Sequence, residues 1–113
     1  MSPECLFCRI VRREIPATLV HESDECIAFR DIDPKAPVHV LVSPREHVSS
    51  LNDANDPALV GRLALVAADI ARREGIAESG YRAVINTNRD AGQTVFHIHL
   101  HLLGGRALSW PPG

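Results

Sequence analysis

Seven residues near the C-terminus constrain this chain more than any others: His97-Ile98-His99-Leu100-His101-Leu102-Leu103. Three histidines, half of the six in the sequence, alternate with apolar residues. A repeat of two is the repeat of a β-strand, whose successive side chains point to opposite faces. A helix would scatter the same imidazoles at about 100° per residue. The strand reading puts His97, His99 and His101 on one face at intervals of roughly 7 Å. It sends Phe96, Ile98, Leu100 and Leu102 into a core. Three exposed histidines on a wet face are the bland alternative, which strict alternation disfavours. A dry row of imidazoles is a place for proton chemistry near neutral pH.

The remaining elements supply a frame for that strand. Cys5 to Arg13 reads as a short helix, with Phe7, Ile10 and Val11 on one side and Pro16 ending it. Thr18–Glu22 and Glu25–Arg30 read as a hairpin around Ser23-Asp24, with Ile27 and Phe29 sharing a face. Val38–Ser43 is a third strand. Val38, Val40 and Val42 take one face, and His39, Leu41 and Ser43 the other. Pro44-Arg45-Glu46-His47 reads as a turn into a short helical segment. Asp56-Pro57 is a helix start, an N-cap carboxylate before a first-turn proline. Leu59, Leu63, Val66 and Ile70 carry that helix to Glu74, with Gly75 after its end. Tyr81–Thr87 reads as a fourth strand of the same kind as the others. The expectation is α+β: a five-stranded antiparallel sheet with one long and one short helix, in a single domain over residues 1–113.

Composition excludes several classes. A net charge of −2, with scattered arginines, gives no general attraction to nucleic acid or membrane surface. No apolar run approaches the roughly 20 residues of a membrane-spanning helix. The polar, acidic start Met1-Ser2-Pro3-Glu4 lacks a leader pattern, so a cytoplasmic location is expected. Three cysteines, an odd number, argue against a disulfide framework. Cys5 and Cys8 stand in C-x-x-C spacing. A redox pair, half a zinc site and two inert buried thiols are the three readings, and zinc is preferred because spare histidines exist. Two aspartates follow the second strand: Asp33 before Pro34 suits turn chemistry, and Asp31 suits a ligand hydroxyl. Gly92-Gln93-Thr94, just before the histidine row, offers backbone N–H groups and a hydroxyl to an anion.

The row His97–Leu103 resembles the His-φ-His-φ-His-φ-φ signature of the histidine triad (HIT) superfamily. Phe7-Cys8-Arg9-Ile10, Glu14-Ile15-Pro16-Ala17, Phe29-Arg30-Asp31-Ile32, Pro34-Lys35-Ala36-Pro37-Val38-His39, Pro44-Arg45-Glu46-His47 and Gly92-Gln93-Thr94-Val95-Phe96 fall where that family has its motifs. The ending Gly104-Gly105-Arg106 … Trp110-Pro111-Pro112-Gly113 resembles the Hint branch, purine nucleoside phosphoramidases, more than the dinucleoside polyphosphate hydrolases.

The resemblance implies an AMP-type purine nucleotide substrate and roles for particular residues. His99 resembles the nucleophile, His101 the group facing the leaving amine, and His39 the fourth histidine on the neighbouring strand. Asp31 matches the ribose acceptor. Phe7, Ile10, Phe29 and Ile32 match the purine walls, and Asn86, Gly92, Gln93 and Thr94 the phosphate side. Thr94 stands where the family often has Ser, which keeps the hydroxyl and adds a methyl. Bacterial members with both cysteines resemble zinc proteins with ligands at Cys5, Cys8, His47 and His97, which would make the metal structural and His97 non-catalytic. No organic cofactor is implied. A two-fold homodimer is implied, with the tail 107–113 and Trp110 reaching the partner subunit.

Two other functions compete. One is a nucleotide-binding scaffold dimer without catalysis. The other is a metalloenzyme with zinc on His97, His99 and His101. The outer members of that row would lie roughly 13 Å apart on a strand, whereas Zn–N bonds are about 2.0–2.1 Å.

Overall fold

In a computed structural model, which describes residues 4–113, the chain runs helix, three strands, helix, two strands. The elements are α1 (Leu6–Val11), β1 (Leu19–Glu22), β2 (Cys26–Arg30), β3 (Val38–Pro44), α2 (Pro57–Arg73), β4 (Tyr81–Val84) and β5 (Leu100–Gly104). All pairs are antiparallel, in the spatial order β1-β2-β3-β5-β4. The expected five-stranded α+β architecture is what forms.

Alternation along the central strands divides the apolar residues between two faces. Cys26, Ala28, Val40, Val42, Leu100 and Leu102 lie on one, under Leu63, Ala67, Ile70 and Ala71 of α2. Leu63 and Ile70 are fully buried, each contributing about 1.5–3 kcal/mol through loss of water contact. The helix starts as its sequence dictates: Asp56 accepts from the Ala58 N–H at 3.0 Å, and Pro57 occupies the first turn. The other face is covered by α1. Phe7 and Ile10 pack there on Ile27, Phe29 and Leu41, with the Phe7 and Phe29 rings edge to face at 5.1 Å.

Several elements are shorter than their patterns predict. β4 stops at Val84 rather than Thr87. The segment after Pro44 forms no helix until a single 3-10 turn at Leu51–Asp53. The largest difference concerns the histidine row itself. Regular pairing begins only at Leu100, opposite Val42. Two residues further in that register, Pro44 would face Ile98, and proline has no N–H to give. The Ile98 carbonyl accepts from the Ser43 hydroxyl instead, at 3.3 Å, and the Ile98 N–H donates to the Val48 carbonyl at 2.7 Å. Residues 97–99 therefore leave the sheet, and Phe96 is half exposed rather than in the core.

Candidate active site

The departure from strand geometry separates the three histidines. His99 and His101 line a cleft of about 470 Å³ on the α1 face, together with Phe7, Ile10, Phe29, Asp31, Ile32 and Thr94. Leu6, Ile15, Pro16, Ala17, Arg30, Leu41 and Val95 complete its wall. Of these, Leu41 was readable from the sequence, because it shares a strand face with His39. His97 does not line the cleft; its ring is wholly buried. The single-face reading of the row is corrected accordingly: two imidazoles serve the cleft, and the third serves a different cluster.

Hydrogen bonds fix which nitrogen of each ring carries the proton. His99 Nδ1 donates to the His97 carbonyl at 2.8 Å. A neutral imidazole with Nδ1–H keeps a lone pair on Nε2. Phe7 holds the ring in place edge-on, with centroids 4.8 Å apart. His39 Nδ1 accepts the Lys35 backbone N–H at 3.0 Å, so its proton sits on Nε2. That proton is donated to His101 Nδ1 at 2.9 Å. His101 is left with its own proton on Nε2. The cleft therefore holds a lone pair at His99 beside an N–H at His101, on rings 5.0 Å apart. Such a pair can attack an electrophilic centre and donate to what leaves it.

Burial keeps these rings neutral. It pushes His101 down to about 4, with help from the neighbouring His99 and His39. Burial also lowers His99, against the pull of its bond to the His97 carbonyl. His39 is lowered for the same first reason, partly offset by Asp31. The unfolded chain therefore binds protons before the folded one as pH falls from the ordinary imidazole value of 6.5 toward 4. Stability from burying neutral rings is complete above that value and is lost below it. A melting series from pH 8 to pH 4 should be level above about 6.5 and then fall. The fall should be smaller in His101→Asn. A melting temperature that rises on acidification would contradict the neutral assignment.

Asp31 keeps Oδ1 on the Asp33 N–H at 2.8 Å, while Oδ2 lies 3.4 Å from His39 Nε2 at the cleft wall. Ile32 lines the rim with its side chain in solvent. Asn86, Gly92 and Gln93 do not line the cleft. The Gln93 side chain is used internally: it accepts from the Asn88 N–H at 2.8 Å and donates to the Ser49 carbonyl at 2.9 Å. It thereby shapes the loop that delivers Thr94. Trp110 is also outside the cleft, 80% exposed, with Arg82 5.9 Å above its ring.

Behind the cleft stands a second cluster. Cys5 Sγ lies 3.4 Å and Cys8 Sγ 3.5 Å from His97 Nδ1, and His47 Nδ1 lies 3.2 Å from Cys8 Sγ. All four donor atoms are within 4.8 Å of one another. A tetrahedral ion with bonds of about 2.0–2.1 Å to nitrogen and 2.3 Å to sulfur needs donor separations of roughly 3.3–3.8 Å. The residues fit such an ion. His97 Nε2 donates to the Pro44 carbonyl at 2.8 Å, which leaves Nδ1 free to ligate. Pro44 thus contributes through its carbonyl what the sequence pattern alone could not indicate. By contrast, Asp31, His39 and His101 also converge, but the Lys35 N–H already occupies His39 Nδ1. Ligation at His39 Nε2 would force the ring proton onto Nδ1, against that donor.

An antiparallel α+β domain with paired neutral imidazoles in an apolar cleft defines a histidine-bearing class of small-molecule site. The chain belongs to the HIT domain family, whose model matches residues 12–108. It is 52% identical over 110 residues to the purine nucleoside phosphoramidase of Escherichia coli K12, covering 96% of this chain and 92% of that protein. A HIT-like protein of Synechococcus elongatus is 54% identical over 115 residues, covering both chains fully. Among solved structures, a HIT family hydrolase from Legionella pneumophila superposes with a TM-score of 0.95 at 51% identity, covering 97% of this chain and 100% of that one. A histidine triad protein from Clostridium difficile gives 0.93 at 40% identity, covering 96% of each chain.

Proposed function

We propose that this chain is a hydrolase that cleaves the P–N bond of adenosine 5′-phosphoramidates, AMP-NH2 and AMP-lysine adducts among them. Aminoacyl adenylates, mixed anhydrides that would lose a P–O bond on attack at the same phosphorus, are a related substrate class. One observation carries the reading: the His97 carbonyl holds the Nδ1 proton of His99, so the Nε2 lone pair faces an apolar, nucleotide-sized cleft. The name of the 52% identical E. coli relative supports the same substrate class. Purine stacks between Phe7, Ile10, Phe29 and Ile32. Asp31 Oδ2 accepts from a ribose hydroxyl. Thr94 donates its hydroxyl to a phosphoryl oxygen, with the loop of Asn86, Gly92 and Gln93 positioning that end.

His99 Nε2 forms a bond to phosphorus as the P–N bond breaks. The electron pair goes to nitrogen, which is hydrogen-bonded by the His101 Nε2–H and leaves as the amine with a proton taken from solvent, so that His101 stays neutral. Water then attacks phosphorus, the His99–phosphorus bond breaks, and AMP leaves. The proton released by that water returns to solvent, and His99 is again neutral with its lone pair on Nε2. Intact-protein mass spectrometry after brief exposure to an adenosine phosphoramidate should reveal one AMP adduct, mapped to His99. An adduct on another residue would defeat the assignment.

Cys5, Cys8, His47 and His97 would hold a zinc ion as a closed, structural cross-link. The assembly read here is a homodimer. β4 is an edge strand, so one side of it presents backbone N–H and C=O groups that the sheet does not pair. Leu65 on α2 and Tyr81 on β4 are exposed apolar surface as well. The tail leaves the domain past Ser109, whose carbonyl accepts from Arg82 at 3.0 Å. We place Trp110 beside the leaving-group side of the partner's cleft. Deleting Trp110–Gly113 should change the preference among amine leaving groups while the dimer persists in sedimentation. A monomer at micromolar concentration defeats the assembly, and an unchanged leaving-group profile defeats the role of the tail.

A further inference from the structure

Arg106 lies just past β5, well outside the cleft, yet it is wired to it. Its Nη2 and Nε both donate to the Lys35 carbonyl, at 2.9 and 3.2 Å. Lys35 in turn donates its backbone N–H to His39 Nδ1 at 3.0 Å. His39 Nε2 donates to His101 Nδ1 at 2.9 Å. The same residue is therefore gripped at its carbonyl by a guanidinium and engaged at its amide by an imidazole.

Two further contacts hold Lys35 in this position. Its ammonium bonds the Asp33 carbonyl at 2.9 Å and the Asp33 carboxylate at 2.6 Å. On the other side, Gly105 lets the chain end close against the loop. Gly105 has φ of +88°, and a Cβ there would come 3.0 Å from Pro37 Cβ. A side chain at 105 would thus carry both a left-handed strain and a clash, moving Arg106 away from Lys35.

We infer that Arg106 is a positioning residue, acting through the Lys35 backbone amide to fix the proton arrangement of the His39–His101 pair. Without a donor at His39 Nδ1, the two imidazoles can exchange roles. Either ring can then place its proton between them, and His101 presents Nε2 to the cleft as a lone pair in one arrangement and as N–H in the other. A donor at His39 Nδ1 permits only the second. The site then always faces the leaving group with a hydrogen-bond donor. The statement about leaving groups rests on the phosphoramidate reading above; the statement about ring protons does not.

Three proteins test it: Arg106→Met, Arg106→Lys, and a semisynthetic chain with an ester linkage in place of the Lys35 N–H. Long-range proton–nitrogen spectra distinguish protonated from unprotonated ring nitrogens. The wild type should carry the proton on Nε2 of both His39 and His101. The Met and ester variants should give mixed tautomers at these two rings, while His99 keeps its Nδ1 proton. The Lys variant should recover the wild-type pattern in large part.

Kinetics supply the second readout. With an alkylamine leaving group, kcat should fall about tenfold or more in the Met and ester variants at unchanged KM. With p-nitrophenol leaving, which needs little donor assistance, kcat should change less than about threefold. A wild-type His39 protonated on Nδ1, or an unaltered tautomer pattern in both variants, overturns the inference. Equal losses on the two substrates overturn it too, because a merely structural Arg106 would give them. If the wild type hydrolyses neither substrate but has the stated proton pattern, the phosphoramidase reading fails and the positioning role of Arg106 stands.

Discussion

His99→Gly should abolish turnover of an adenosine phosphoramidate, by at least about 10⁴-fold in kcat. The variant removes the lone pair that attacks phosphorus, and no other imidazole can take its place. His101 has its Nδ1 engaged by His39 and holds its remaining nitrogen protonated. His97 is buried behind the cleft, with both nitrogens facing protein groups. Nucleotide affinity should change little, because Phe7, Ile10, Phe29 and Asp31 still line the cleft. Rapid-quench kinetics and calorimetric AMP titration separate the two effects. Residual turnover within tenfold of wild type would take His99 out of the nucleophile's place.

Removing the metal should produce the largest loss of stability. Freshly purified protein should contain about one zinc per chain. Stripping it with a strong chelator, or making Cys8→Ser, should cost several kcal/mol, on the order of 15 °C in melting temperature. The reason is geometric. Cys5 and Cys8 begin α1, His47 lies in the loop after β3, and His97 leads into β5. One ion would tie α1 to two segments that hydrogen bonds such as Ile98 N–H to Val48 and His97 Nε2 to Pro44 already link to each other. Cys8 is wholly buried, so its thiol has no water to fall back on. Turnover should also decline on removal, since the His97 carbonyl that orients His99 belongs to a residue that would ligate the ion. Metal-free protein of undiminished stability would count against the site.

How far the sequence speaks for itself varies with the range of the interaction. Short-range signals were legible. Asp56 and Pro57 start α2 where a capping carboxylate and a first-turn proline should. Val40 and Val42 face α2 while Leu41 faces α1, as alternation requires. One long-range meeting was also foreseen, through the family resemblance and not from local pattern: the C-x-x-C pair comes together with His47 and His97.

What escaped depends on partners distant in sequence. His97 turns out of the row because Pro44, across the sheet, cannot donate to Ile98. Pro44 was visible, but its register against Ile98 was not. Gln93 looked like a ligand-facing donor and is spent on the Ser49 carbonyl, more than forty residues away in sequence. Lys35 was named only as part of the Pro34–His39 motif, because the backbone N–H that it contributes to His39 has no signature in residue type.

The alternation of lone pair and N–H across the two cleft rings has a consequence for ligand design. An inhibitor matched to this pair should place an electron-poor centre opposite His99 Nε2 and an acceptor atom opposite His101 Nε2, about one ring spacing away. Amidines and other cationic donors offer the opposite polarity to His101 and leave its N–H facing a hydrogen. Neutral sulfonyl or boronate compounds built on adenosine satisfy both rings at once. The two rings thus favour an electrophile flanked by an acceptor, independently of what fills the apolar remainder of the cleft.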